Sequence, residues 1–251
     1  MPSDLDLAAT LVRDAGLLAA GMRRAGLETS RKTSVSDVVS DADHAAERLI
    51  VNQLREARPG DGVVGEEGTS FSGTRTWYVD PVDGTYNFVS GLPFWCSAVA
   101  LVDEEGPLLG AVYYVESDEL WLGGRETPTT CNGVPVHVTD SRPLAEVSLA
   151  SYVHPATLPD DGMRLPLLRV LGVPATVRML GSGSVELAFL AGGRLGGWLQ
   201  YDCADWDWLP GVALVQAAGG ATNVTEVVGH RWHIAGSRQV VDEITALLES
   251  R

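Results

Sequence analysis

The chain lacks any long apolar run. Nowhere do 18 or more apolar residues follow one another, so no membrane-spanning helix is expected. It also lacks a basic, apolar leader: Met1 to Asp6 is acidic, and secretion is not indicated. Cysteine is scarce. Cys96, Cys131 and Cys203 lie far apart and fit neither a metal knuckle nor a disulfide framework. Reduced thiols in a cytoplasmic protein are the expectation. Positive charge is short, with 18 Lys and Arg against 33 Asp and Glu and a net charge of −15. That field repels a polyanion, and no basic block reverses it locally, so nucleic acid is not an expected partner.

What is present suffices for a sizeable core: 251 residues, 45% of them hydrophobic, enough for one large domain or two small ones. Leu5 to Arg24 has helical periodicity through Leu7, Leu11, Val12, Ala15, Leu18, Ala19 and Met22, and Gly26 marks its end. Ser34 to Val39 reads as a strand or loop. Ser40 reads as an N-cap with Asp43 three residues on, and Ala45 to Arg58 continues as a helix. Pro59 to Gly62 is a turn, and Val63-Val64 a brief strand running into Gly65-Glu66-Glu67-Gly68. Thr76 to Asp80 reads as a strand that Pro81 to Thr85 breaks, starting a short helical turn. Ser97–Val102, Leu108–Val115 and Leu120–Gly123 read as strands of an antiparallel meander.

Ser141 to Glu146 reads as a linker, dividing the chain into residues 1–140 and 141–251. The second half alternates strands (Val147–Tyr152, Thr176–Leu180, Gly197–Tyr201) with helices (Met163–Leu171, Ser184–Leu190, Leu209–Ala218, Gln239–Leu248). Such alternation predicts an α/β layer.

The most informative stretch is Trp77-Tyr78-Val79-Asp80-Pro81-Val82-Asp83-Gly84-Thr85-Tyr86-Asn87-Phe88. Asp80 and Asp83 are hard oxygen donors at the expected end of a buried strand, and the Val82 carbonyl between them adds a third oxygen. Mg2+ takes such ligands in octahedral geometry. Gly84 lets backbone approach a ligand, and the Gly84 and Thr85 amides at a helix start suit a phosphate oxygen. Taken singly, every piece has a plainer reading. Asp80 and Asp83 can cap a turn, Glu66 and Glu67 can be a solvated loop, and Asp207 can offset a helix dipole. Thr85 can be a helix-start hydroxyl, Asp43 part of a capped helix and Lys32 a surface charge.

The full string resembles the first signature of the inositol monophosphatase family. Gly65-Glu66-Glu67 is similar to its upstream element. Trp206-Asp207 with Gly211 and Ala218-Gly219-Gly220 is similar to its C-terminal signature. Lys32, Asp37 and Asp43 match its early segment, and the similarity runs from about Ala8 to Gly220. The resemblance implies the sugar-phosphatase fold: alternating α-β-α-β-α layers in two subdomains, the larger mixed sheet first. It implies a phosphoric monoester hydrolase using two or three Mg2+ ions. Glu66, Asp80 and Val82 would hold the first, Asp80, Asp83 and Asp207 the second, with Glu66 sharing a third. Water acidified by the cations would be the nucleophile, with Thr85 and Asp43 as a proton relay and Glu66 competing for that role. Five histidines (His44, His137, His154, His230, His233) show no nucleophile pattern and read as loop or core residues. A homodimer and inhibition by Li+ are further implications.

The substrate side is less determined. Arg178 to Ser184 resembles a family turn bordering the substrate, with Gly183 and Ser184 in place of alanines. Asp83, Gly84, Thr85, Ser182, Gly183, Gln200 and Asp207 are the expected substrate contacts. Gln200 stands where the family often has an acidic ligand for sugar hydroxyls, so a polyol would lack a charged acceptor. Trp198, Tyr201 and Trp208 either flank an aromatic group or pack the interior. An inositol phosphate, histidinol phosphate, a nucleotide and a sugar phosphate all remain open, as does a regulatory or binding role with vestigial catalysis. Action on a phosphorylated protein is disfavoured by the compact pocket expected.

Overall fold

In the computed structural model the described residues are 2–26, 29–31 and 38–250. Lys32 and Asp37, and most of the Ser34–Val39 segment, lie outside them. In chain order the elements are α1 (Asp4–Ala25), β1 (Thr29–Arg31), β2 (Val38–Ser40), α2 (Asp41–Ala57), β3 (Gly62–Gly65), β4 (Ser70–Phe71) and β5 (Thr76–Asp83). Then come α3 (Thr85–Ser90), β6 (Cys96–Asp103), β7 (Gly106–Tyr114), β8 (Glu119–Gly124), β9 (Thr127–Cys131) and β10 (Val134–Pro135). The remainder is β11 (Ser148–Ser151), α4 (Asp161–Leu171), β12 (Thr176–Arg178), α5 (Gly183–Ala191), β13 (Gly197–Tyr201), α6 (Asp205–Ala217), β14 (Ala221–Val227), β15 (His230–Gly236) and α7 (Arg238–Glu249).

Among the described residues an eight-stranded sheet runs in the order β10-β9-β8-β7-β6-β5-β3-β4 and a five-stranded one in the order β12-β11-β13-β15-β14. The large sheet is mixed, since β3 lies parallel to β5 while β5 to β9 form an antiparallel meander. Helices α1 and α2 cover one of its faces through Leu11, Ala15, Ile50 and Leu54 against Trp77, Val99 and Ala111. The other face meets α5 and α6, which also back the small sheet through Val185, Leu187, Leu214 and Trp198. Helices α4 and α7 close the far side through Met163, Leu167, Val240 and Ile244. The layers therefore alternate α-β-α-β-α, as expected. No described helix is long and apolar enough to cross a membrane.

Three sequence expectations need correction. Strand β5 does not stop at Asp80; it runs to Asp83. Asp80 pairs with Ala98 and Asp83 with Cys96, so β5 carries one extra residue there, a β-bulge. Pro81, which has no N–H for a ladder bond, is accommodated within this irregularity. Helix α6 begins at Asp205, four residues earlier than Leu209, with Pro210 in its second turn rather than its first. In the Ser141–Glu146 segment Leu144 is the one buried residue, and its amide donates to Glu243 Oε2 at 2.8 Å. The β14–β15 hairpin was not foreseen, although β-branched residues flank its turn. Val228 and Gly229, at φ 52° and 81°, make that turn left-handed at both positions.

Candidate active site

Three short segments converge on one point from distant parts of the chain. In a regular strand, residues three apart face opposite sides. The extra residue in β5 cancels that and turns Asp83 to the side of Asp80. Helix α6 passes the same place and presents Asp207 from its first turn. One oxygen of each of Asp80, Asp83 and Asp207 lies within 4.8 Å of the others.

Three carboxylates this close repel one another. Burial pushes Asp80 well above the usual carboxylate range, and the charges of Glu66, Asp83 and Asp207 push it further. Burial also raises Asp207 to about 8, with Asp83 and Glu66 adding to the effect. Burial raises Asp83 too, against hydrogen bonds that favour its charged form: Ser184 N–H at 2.6 Å and Ser182 Oγ at 2.9 Å both donate to Oδ2. Asp80 Oδ1 accepts from Val82 N–H, whereas Asp80 Oδ2 is buried without a hydrogen-bond partner. A buried oxygen donor without a partner, beside two further carboxylates, is the chemistry of a hard divalent-cation site. The residues fit Mg2+ on these grounds.

The remaining expected residues fall as follows. Glu66, in the turn after β3, lines the same cavity as Asp83 and Asp207 but stands outside the three-oxygen cluster. Glu47 holds its turn in place: Glu47 accepts from Glu67 N–H (2.8 Å), Thr69 N–H (3.2 Å) and Thr69 Oγ1 (2.6 Å). Any side chain at Gly65 would strike Glu47, the ideal Cβ lying 2.3 Å from Oε2. The Val82 side chain is buried, and its carbonyl accepts from Thr85 Oγ1 at 3.0 Å. A carbonyl has two lone pairs, so one is left for a cation. Ser40 caps α2 and donates from N and Oγ to Asp43 Oδ2. Asp43 Oδ1 is thereby aimed at Thr85 Oγ1, 3.1 Å away. Burial raises Asp43 above its ordinary value, which makes it a better proton acceptor.

Gly84 adopts a left-handed conformation, φ 90°, between β5 and α3. With Thr85 it borders a cavity of about 750 Å3, which Ser182, Gly183, Gln200 and Asp207 also line. Ser182 is not free to meet a ligand with its proton, because it donates to Asp83. Trp198, Tyr201 and Trp208 are buried, so they pack the interior rather than the cavity.

Several residues were not singled out from the sequence. Asn87 donates to the carbonyls of Phe94 and Leu180, both at 2.7 Å, and so joins α3 to the loop before α5. Glu186 accepts from Leu180 N–H (2.7 Å) and Trp198 Nε1 (3.0 Å), and burial raises it to about 8. Tyr152 and His154 line the cavity as well. Asn87 stands inside the long motif, the one signal that marked it. The others lie in segments whose spacing is silent about what they face.

Comparison with known proteins agrees with this arrangement. The model of the inositol monophosphatase family matches residues 3–248. An inositol-1-monophosphatase of Rhizobium meliloti is 37% identical over 190 residues, covering 74% of this chain and 71% of the relative. A fructose-1,6-bisphosphatase/inositol-1-monophosphatase of Thermotoga maritima is 31% identical over 192 residues, covering 76% and 72%. The crystal structure of the extragenic suppressor protein SuhB from Bartonella henselae superimposes with a TM-score of 0.89 at 28% identity, covering 99% of each chain. The bulged strand, the acidic cluster beneath a cavity and these matches together place the chain in the inositol monophosphatase family of phosphoric monoester hydrolases.

Proposed function

We propose that this chain hydrolyses a small phosphate monoester with Mg2+, two or three ions, held by Glu66, Asp80, the Val82 carbonyl, Asp83 and Asp207. The observation that carries this reading is the trio of buried Asp80 and Asp83 with half-buried Asp207, holding an unsatisfied oxygen, beside the Thr85–Asp43 pair. When bound, divalent cations offset the negative charge of the phosphoryl oxygens and acidify water.

The chain's own groups do the rest. The backbone of Gly84 and Thr85 meets the phosphoryl oxygens at the cavity floor. Thr85 Oγ1 takes a proton from the attacking water and passes its own to Asp43 Oδ1. The water oxygen bonds to phosphorus in line, the ester P–O bond breaks, and a second water protonates the departing alkoxide. Ser182 and Ser184 favour the charged form of Asp83 and hold it in orientation. Residues 1–140 and 141–251 form the two subdomains of this reading, with the cavity between them. A cytoplasmic homodimer sensitive to Li+ completes it, and sedimentation as a monomer at micromolar concentration would remove the dimer.

The test is phosphate release from a panel of monoesters with Mg2+ and with chelator. Release that chelator abolishes, and that Asp83→Asn removes without unfolding the protein, is the expected result. An active Asp83→Asn variant would overturn the ligand assignment. A folded wild-type protein that releases no phosphate from any monoester would favour a binding role instead.

A further inference from the structure

We infer that the alcohol released by this site carries a flat, uncharged heteroaromatic ring, which lies against Tyr86 and Tyr152 at the mouth of the cavity. The inference rests on the phosphatase reading and deepens it. Tyr86, on α3, is 55% exposed, and Tyr152, after β11, is 37% exposed; both line the cavity. Among the described residues neither ring stacks on another aromatic ring, whereas Phe88, Trp95, Trp198, Tyr201 and Trp208 all pair with neighbours inside the protein. Two unstacked phenol faces beside the acidic cluster are open to a flat ligand, which an aromatic pair favours beyond its buried area.

The charge of the wall narrows the choice. No Lys or Arg is among the described residues lining the cavity, while Glu66, Asp83, Glu186 and Asp207 are. Among these described residues a second phosphate on the substrate would find no cationic partner. Bisphosphates are therefore disfavoured. Gln200 offers a neutral NH2 donor group and a carbonyl acceptor, which suits the edge of a nitrogen heterocycle.

The aromatic wall is also held in place. The Tyr201 hydroxyl accepts from His154 N–H at 3.3 Å and shares a 2.5 Å hydrogen bond with Thr157 Oγ1, fixing the turn that follows Tyr152. Tyr201 itself packs against Trp232. A wall anchored in this way is preorganised for a rigid ring. Its volume, about 750 Å3, lies in the usual range of small-molecule sites and leaves room beyond the phosphate.

The experiment compares kcat/KM, with Mg2+, for adenosine monophosphate, histidinol phosphate, inositol 1-phosphate and fructose 1,6-bisphosphate. At least one of the two ring-bearing monoesters is expected to exceed both of the others. Tyr86→Ala and Tyr152→Ala should each lower that selectivity by about tenfold, through KM rather than kcat, as loss of one stacking face does. Tyr86→Phe and Tyr152→Phe, which keep the ring, should retain it. Preference for inositol 1-phosphate or the bisphosphate, or an equal loss on every substrate in the alanine variants, would overturn the inference and leave the phosphatase reading standing. No release from any of the four would take both away.

Discussion

Thr85 shows how much one hydroxyl is asked to do. Its single proton has two acceptors in reach, Asp43 Oδ1 at 3.1 Å and the Val82 carbonyl at 3.0 Å. Donation to Val82 holds the start of α3, and donation to Asp43 is the contact on which the proposed relay rests. Thr85→Ala removes both, and kcat is expected to fall by about 10²-fold, the usual worth of positioned proton transfer. Thr85→Ser keeps the hydroxyl and should recover most of the loss. Steady-state kinetics of the two variants would check this; an active alanine variant would move the base role to Glu66. The sequence placed both partners by motif, but 42 residues separate them, and their contact depends on the cap at Ser40.

At the scale of elements, the joint between β5 and α3 depends on Gly84. Its φ of 90° is a region that L side chains rarely adopt, and a Cβ there would meet the Phe94 carbonyl at 2.9 Å and the Gly181 carbonyl at 3.0 Å. Gly84→Ala is expected to cost at least about 1–2 kcal/mol from backbone strain alone. Denaturant unfolding would measure it, and a variant as stable as the parent would contradict the close packing of this joint on the loop before α5.

A second joint couples stability to pH. His230, at the start of β15, bonds Asp202 after β13 (2.6 Å) and Asp160, the N-cap of α4 (3.0 Å). The Asp202 hydrogen bond raises His230 above its ordinary 6.5, with Asp160 adding to it. Asp160 is lowered by the Gly162 amide and by His230. Burial pushes Asp202 up, but the His230 and Arg231 bonds bring it below 3.8. The His230 contribution is fully present below pH 6.5 and fades as pH rises through the raised value. The carboxylate contributions are present above pH 3.8 and fade as pH falls through the lowered values. The gap in Tm between wild type and His230→Asn should thus be widest between pH 3.8 and 6.5 and shrink on the alkaline side. A gap that widens toward alkaline pH would refute the pairing.

Over the whole molecule, stability and activity pull against each other at the acidic cluster. Asp80, Asp83 and Asp207 stand together at the convergence of β5 and α6, and without a cation their mutual repulsion opposes folding. Asp80→Asn is expected to raise the metal-free Tm, by roughly 2–4 °C for each kcal/mol of repulsion relieved. The same variant should lose the Tm rise that the proposed Mg2+ binding predicts for the parent, worth about 2.7 kcal/mol at a hundredfold excess over Kd. Thermal melts with and without Mg2+ read both effects. A variant that melts lower in metal-free buffer would show that Asp80 is held by protein contacts rather than kept for a cation.

Local chemistry alone settled a good deal about this protein. Helical periodicity marked α1, the cap at Ser40 marked α2, short adjacent strands marked the meander, and the long motif marked Asp80, Asp83 and Thr85. These features depend on residues a few positions apart, where backbone preference and side-chain period act directly. Only the tertiary structure decided what depends on register and convergence. The extra residue in β5 turns Asp83 to the face of Asp80, and that is visible only against the pairing with β6. The start of α6 at Asp205 puts Asp207 on a first turn beside them. Tyr152 and His154, after β11, line the same cavity as Thr85 and Tyr86 of α3, and no spacing along the chain records that. Neighbours in sequence are fixed by covalent geometry, whereas partners a hundred residues away are chosen by the packing of whole layers.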